Sequence, residues 1–74
     1  MDLTYDKQVG QRVRLLRDSK GLTQEQLAAQ LQVRGCDVTR SALAKIEVGQ
    51  RHIYALELRC LREALSTTYD ALLP

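Results

Sequence analysis

The chain has no tryptophan and no phenylalanine, and its 74 residues include one proline, one histidine and two cysteines. The aromatic shortage leaves three tyrosines and few of the side chains that favour strands. Proline occurs only at the C-terminal position, so no internal position is barred from helix by it. Cys36 and Cys60 are too few and too far apart for a disulfide scaffold or a four-ligand zinc site, so free thiols and no metal are expected. A lone His, with no Cys–His or Ser–His–Asp spacing and no Gly-rich phosphate loop, argues against an enzyme, and nothing calls for a cofactor. Apolar stretches end after a few residues, whereas a membrane-spanning helix needs about 20 in succession. The start, Met1 to Asp6, is acidic and has neither the basic end nor the apolar centre of a signal peptide. No membrane and a cytoplasmic location are therefore expected.

What is present fits a single small domain over residues 1–74, since a chain this short buries only about 60% of its unfolded surface. Leu, Ala, Gln, Arg and Glu are plentiful, which favours an all-α fold. The net charge of +2 is unevenly spread: residues 7 to 51 hold nine Lys and Arg against four Asp and Glu, and the remainder two against five. A basic stretch of this kind suits a surface that faces a polyanion, although solvated helix faces give the same counts.

Local patterns divide the chain into helices. Val9, Val13 and Leu16 recur at helical spacing between Asp6 and Lys20, and Gly21 follows as a stop. Thr23 with Gln26 three residues later forms a capping box for a second helix, whose buried stripe is Leu27, Ala28 and Leu31. Gln32 to Val38 carries no helical period and reads as an extended connection. Thr39 caps a third helix in which Arg40, Ser41, Ala44 and Lys45 fall on one arc, opposite Ala42, Leu43 and Ile46. Gly49 closes it. A fourth helix has the stripe Tyr54, Leu58, Leu61 and Leu65, with Leu56 and Cys60 off it, and Thr68 caps a short fifth from Tyr69 to Leu73.

Three segments carry a resemblance: Val9 to Arg17, Lys20 to Ala28 and Thr39 to Gly49, with Ala64 to Leu73 as a fitting close. Together they resemble the Cro/repressor-type (XRE) helix-turn-helix family over nearly the whole chain. The resemblance implies a compact five-helix repressor-like domain with the helix-turn-helix at about 23–48 and the third helix in the DNA major groove. Carried over position by position, Arg40, Ser41, Ala44 and Lys45 would read bases, and Gln24, Gln50 and Arg51 would contact phosphate. Arg17 and Glu47 match the family's ion pair between the first and third helices. The chemistry is apt, because Arg bonds guanine O6 and N7 bidentately, Ser bonds several base edges and Ala offers a methyl surface to thymine. The span from Ala28 to Leu43 is longer than the family's, and Gln32 stands where its turn glycine usually lies. Arg34 in that span, and Arg12 and Arg14 on the first helix, are further possible backbone contacts; His52 reads first as a solvated side chain.

The resemblance implies a sequence-specific regulator of transcription on double-stranded DNA, acting as a repressor by operator occupancy. One small domain makes few phosphate contacts, so a homodimer on two half-sites is expected, with Leu56, Cys60, Leu72 and Leu73 as candidate dimer residues. A different reading makes the chain an antitoxin or adaptor that binds a protein partner, with DNA binding secondary or absent. The two differ in salt dependence, since phosphate contacts weaken with salt and apolar protein contacts do not.

Overall fold

A computed structural model describes residues 2–74. Five helices follow one another without a strand among these residues: α1 (Thr4–Ser19), α2 (Gln24–Val33), α3 (Arg40–Glu47), α4 (Ala55–Ala64) and α5 (Tyr69–Leu72). The capping residues set the starts. Thr23 accepts from the Gln26 N–H while the Gln26 side chain accepts from the Thr23 N–H, and Thr39 and Thr68 accept from Ala42 and Ala71. The starts of α2, α3 and α5 thus lie where local hydrogen bonding dictates. By contrast, α1 begins before Asp6, because Asp2 accepts from the Thr4 N–H and opens the helix earlier.

The connection after α2 differs from the extended segment expected. The helix runs on to Val33 and ends in a Schellman arrangement, with the Gly35 N–H on the Gln32 carbonyl and the Cys36 N–H on the Leu31 carbonyl. This turn drives Cys36 and Val38 inward, to 3% and 0% exposure. Cys36 is thus a core residue, and the longer turn is a packed element.

Leu27, Leu31, Leu43, Ile46, Leu61, Leu65 and Leu72 form the centre of one core with Val9, Val13 and Val38. α1 packs on α3 and α5, and α2 packs on α3 and α4. The α1–α3 crossing is close. A Cβ at Gly10 would overlap the Ile46 carbonyl oxygen, so only glycine allows α1 to lie this near the backbone of α3.

Helix α4 departs from its expected stripe at two positions. Tyr54 is the exposed N-cap, and Cys60 is buried, because the α2–α3 turn covers the flank of α4 on which Cys60 lies. Of the dimer candidates, Cys60 and Leu72 are therefore core residues; Leu73 is half-buried and Leu56 is 56% exposed. No helix among the described residues is long and apolar enough to cross a membrane.

Candidate nucleic-acid interface

The third helix presents two unlike sides. Leu43, Ile46 and Glu47 are buried, while Arg40, Ser41 and Lys45 are exposed and Ala44 is half-buried between them. Val48 lies on the same exposed arc at 51% exposure and extends the face by one residue, a position that its apolar character alone does not single out. The helix also ends in a Schellman arrangement, with the Gly49 N–H on the Ile46 carbonyl and the Gln50 N–H on the Lys45 carbonyl. Gly49 has φ 76°, and a Cβ there would overlap the Lys7 side chain. The end of α3 is thus seated directly on α1, which leaves its outer arc rigidly supported.

Three helices are tied together beneath one end of this face. Arg17 on α1 donates to Glu47 on α3 through Nε at 2.6 Å and Nη2 at 3.0 Å, and through Nη1 to the Leu22 carbonyl at 2.8 Å. Gln24, the first residue of α2, donates from Nε2 to Glu47 Oε1 at 3.0 Å. The Glu47 side chain holds the Arg17 guanidinium charged and raises its pKa further above the usual range, against the opposing effect of burial. A bidentate Arg–carboxylate pair has a single good geometry, so it fixes the placement of α3 relative to α1 and α2. One Gln24 N–H is used inside the protein in this arrangement. A phosphate would meet its other N–H and the backbone N–H groups that open α2, where the helix dipole is positive. Arg40 stands in the groove lined by Gly21, Thr23, Gln24 and Glu25, so the positions expected from the sequence to meet a base and a phosphate converge there.

The other end of the face is the segment from Gln50 to Ile53. Gln50 is exposed. Arg51, read from the sequence as a phosphate contact, is turned inward instead: both terminal nitrogens donate to Glu57 at 2.7 Å, and Nη1 also reaches the His52 carbonyl at 3.0 Å. Glu57 in turn accepts from the Tyr54 N–H at 3.0 Å, so the Arg51 pair shapes the start of α4. The Arg51 guanidinium holds the Glu57 carboxyl below the usual carboxylate range, against the effect of burial.

Asp6 is a residue holding this segment in place that the sequence reading missed. Its carboxylate accepts from the Ile53 N–H at 3.0 Å and lies 3.2 Å from His52 Nδ1, pinning the segment after α3 to the first turn of α1. The Ile53 N–H, with His52 adding to it, holds Asp6 below the usual carboxylate range, against its own burial. His52 is thus engaged rather than simply solvated. Arg12 is also engaged, donating to the carbonyl of Leu73 at 2.8 Å and fastening α5 to α1. Arg14 stays 64% exposed beside Asp18, and Arg34 bonds Gln30 at the surface.

Comparison with known proteins agrees with this geometry. A family model described as a helix-turn-helix domain matches residues 10–73. The HTH-type transcriptional activator BcrR of Enterococcus faecalis is 40% identical over 63 residues, which is 85% of this chain and 28% of that protein. The chain therefore spans under a third of that relative's length. Among solved structures, the restriction-modification controller protein C.AhdI from Aeromonas hydrophila is 37% identical with a TM-score of 0.79, over 92% of this chain and 96% of that one. The DNA-binding domain of BldD is 26% identical with a TM-score of 0.81, over 100% of both chains. The chain belongs to the helix-turn-helix family, and within it to the Cro/repressor (XRE) type.

Proposed function

We propose that this member of a family of DNA-binding transcription regulators reads a specific operator in double-stranded DNA through Arg40, Ser41, Ala44 and Lys45. The observation that carries the reading is the free arc of α3 above a fixed base: Gly10 and the Arg17–Glu47–Gln24 network hold the helix from behind. The major groove is wide enough to admit such a helix and shows a distinct donor and acceptor pattern for each base pair. Gln24 and the opening N–H groups of α2 bind phosphate on one side of the groove, and Gln50 binds it on the other. Arg51 acts through the shape of that second segment.

The domain works as a homodimer, with the exposed Leu56 of α4 and Tyr54 at its N-cap in the contact, because a single copy offers too few contacts for operator affinity. Occupancy of an operator that overlaps a promoter excludes polymerase and represses. One relative is named an activator. Binding is common to both outcomes, and operator position sets the sign.

The test is selection from a randomised duplex pool by the purified chain, followed by titration of the selected site at several salt concentrations. A palindrome with half-site centres about 34–36 Å apart is expected. Log affinity should fall with log salt by roughly 0.9 per phosphate contacted. Recovery of no motif by a chain with intact helical circular dichroism would overturn the reading and favour a protein-binding adaptor or antitoxin.

A further inference from the structure

Two buried thiols from distant parts of the chain meet beneath the α2–α3 turn. Cys36 sits in the turn and Cys60 on α4; each is 3% exposed, and both lie in the one buried core cluster. The Cys60 thiol also lies 3.9 Å from the Arg34 carbonyl, so the turn rests directly on this part of α4. The segment between the two cysteines contains the whole of α3. A bond between them would close a loop around the DNA-reading helix.

We propose that Cys36 and Cys60 are a modification site at which a peroxide forms an intramolecular disulfide, tying the turn to α4 and changing how α3 is held. The chemistry needs one two-electron oxidant. One thiolate attacks a peroxide oxygen, the O–O bond breaks, and a sulfenic acid and a hydroxide that takes up the released proton as water are produced. The second sulfur then attacks the sulfenic sulfur, the S–S bond forms, and the oxygen leaves as water. Two thiols and one hydrogen peroxide thus give one disulfide and two waters.

Burial and the neighbouring Cys60 push the Cys36 thiol up to about 11, so Cys36 is mostly protonated at neutral pH. Oxidation therefore proceeds slowly, through moments when the turn lifts from α4, and faster as pH rises. Glu57 adds to this upward push on Cys36, and Arg51 opposes it. Once formed, the bond removes that lifting motion. Its formation is independent of the proposed DNA reading, whereas its effect on operator affinity rests on that reading.

The experiment treats the whole folded chain with hydrogen peroxide under non-denaturing conditions. Intact mass, thiol counting after denaturation and non-reducing electrophoresis follow the product, and binding to the selected duplex is measured alongside. The expected result is a monomeric product lighter by two hydrogens, with both thiols lost together, restored by dithiothreitol, and with operator affinity changed at least severalfold. Cys36→Ala and Cys60→Ala should each abolish that product, and the reaction of the unmodified chain stands as the test if either variant unfolds. Persistence of both thiols, stepwise oxygen addition at one cysteine, or cross-links only between chains would overturn the site. Formation of the disulfide with unchanged operator affinity would overturn its link to α3. If the unoxidised chain selects no DNA site at all, the DNA reading fails, while the mass result still decides the disulfide.

Discussion

Replacing Glu47 with alanine removes one carboxylate and strands two partners. Glu47 is 3% exposed and accepts three hydrogen bonds, from Arg17 Nε at 2.6 Å, Arg17 Nη2 at 3.0 Å and Gln24 Nε2 at 3.0 Å. Breaking a buried ion pair from one side costs about 3–5 kcal/mol, because the remaining charge is left uncompensated. Two features hold this case near the lower end: Arg17 Nη1 keeps the Leu22 carbonyl at 2.8 Å and lies 3.2 Å from Asp18. A domain of this size has roughly 4–11 kcal/mol of stability in total, at about 0.05–0.15 kcal/mol per residue. With about 4–8 °C of melting temperature per kcal/mol, Glu47→Ala should melt at least about 12 °C lower than the parent. The same physics makes a contrary prediction for Arg17→Met combined with Glu47→Leu. That double variant removes both charges and refills the space, so it should melt close to the parent. Thermal and urea unfolding followed by far-UV circular dichroism measure all three proteins. A Glu47→Ala protein that melts with the parent, or a double variant as unstable as the single, would refute the account of this network.

Arg40→Ala should relax base preference at one position of each half-site and weaken binding by about 1–3 kcal/mol, measured by competition among single-base operator variants. Unaltered selectivity would remove Arg40 from the reading face. Gly10→Ala places a methyl against the Ile46 carbonyl and should cost about 1–3 kcal/mol of stability, read as a lower urea midpoint, as α1 lifts from α3. Ser66 occupies the left-handed region at φ 50°, so Ser66→Gly should raise stability by about 0.5–1 kcal/mol; a lower melting temperature would contradict that strain. Asp6 and Glu57 both have folded pKa values below their unfolded ones. Their contribution is complete above the ordinary carboxylate range and is lost as pH falls below about 4, so Asp6→Asn should flatten the acid limb of the stability profile.

Much of the exposed face of α3 was visible in the sequence because it depends on short-range rules. A helix turns by about 100° per residue, so the spacing of Leu43 and Ile46 alone sets Arg40, Ser41, Ala44 and Lys45 on the other side. The same applies to the Thr23 and Thr39 caps, whose partners lie three residues away. The pairings of Arg51, Asp6 and Arg12 were not visible. Each has its partner across a turn or on another helix, and a surface-type residue carries no mark that says which carbonyl or carboxylate it will meet. The helical period also misplaced Cys60, because an apolar stripe widens wherever a neighbouring element covers its flank.

Composition, caps and periodicity therefore determined an all-α chain with five helices and an exposed arc on the third, since each rests on bonds closed within about one turn. Tertiary structure alone decided that Gly10 would admit the backbone of α3, that Glu47 would gather Gln24 as well as Arg17, and that Cys36 and Cys60 would be buried in one core. Those contacts join residues separated by most of a helix or more. Only the crossing of packed helices fixes which of the many chemically acceptable partners comes within bonding distance.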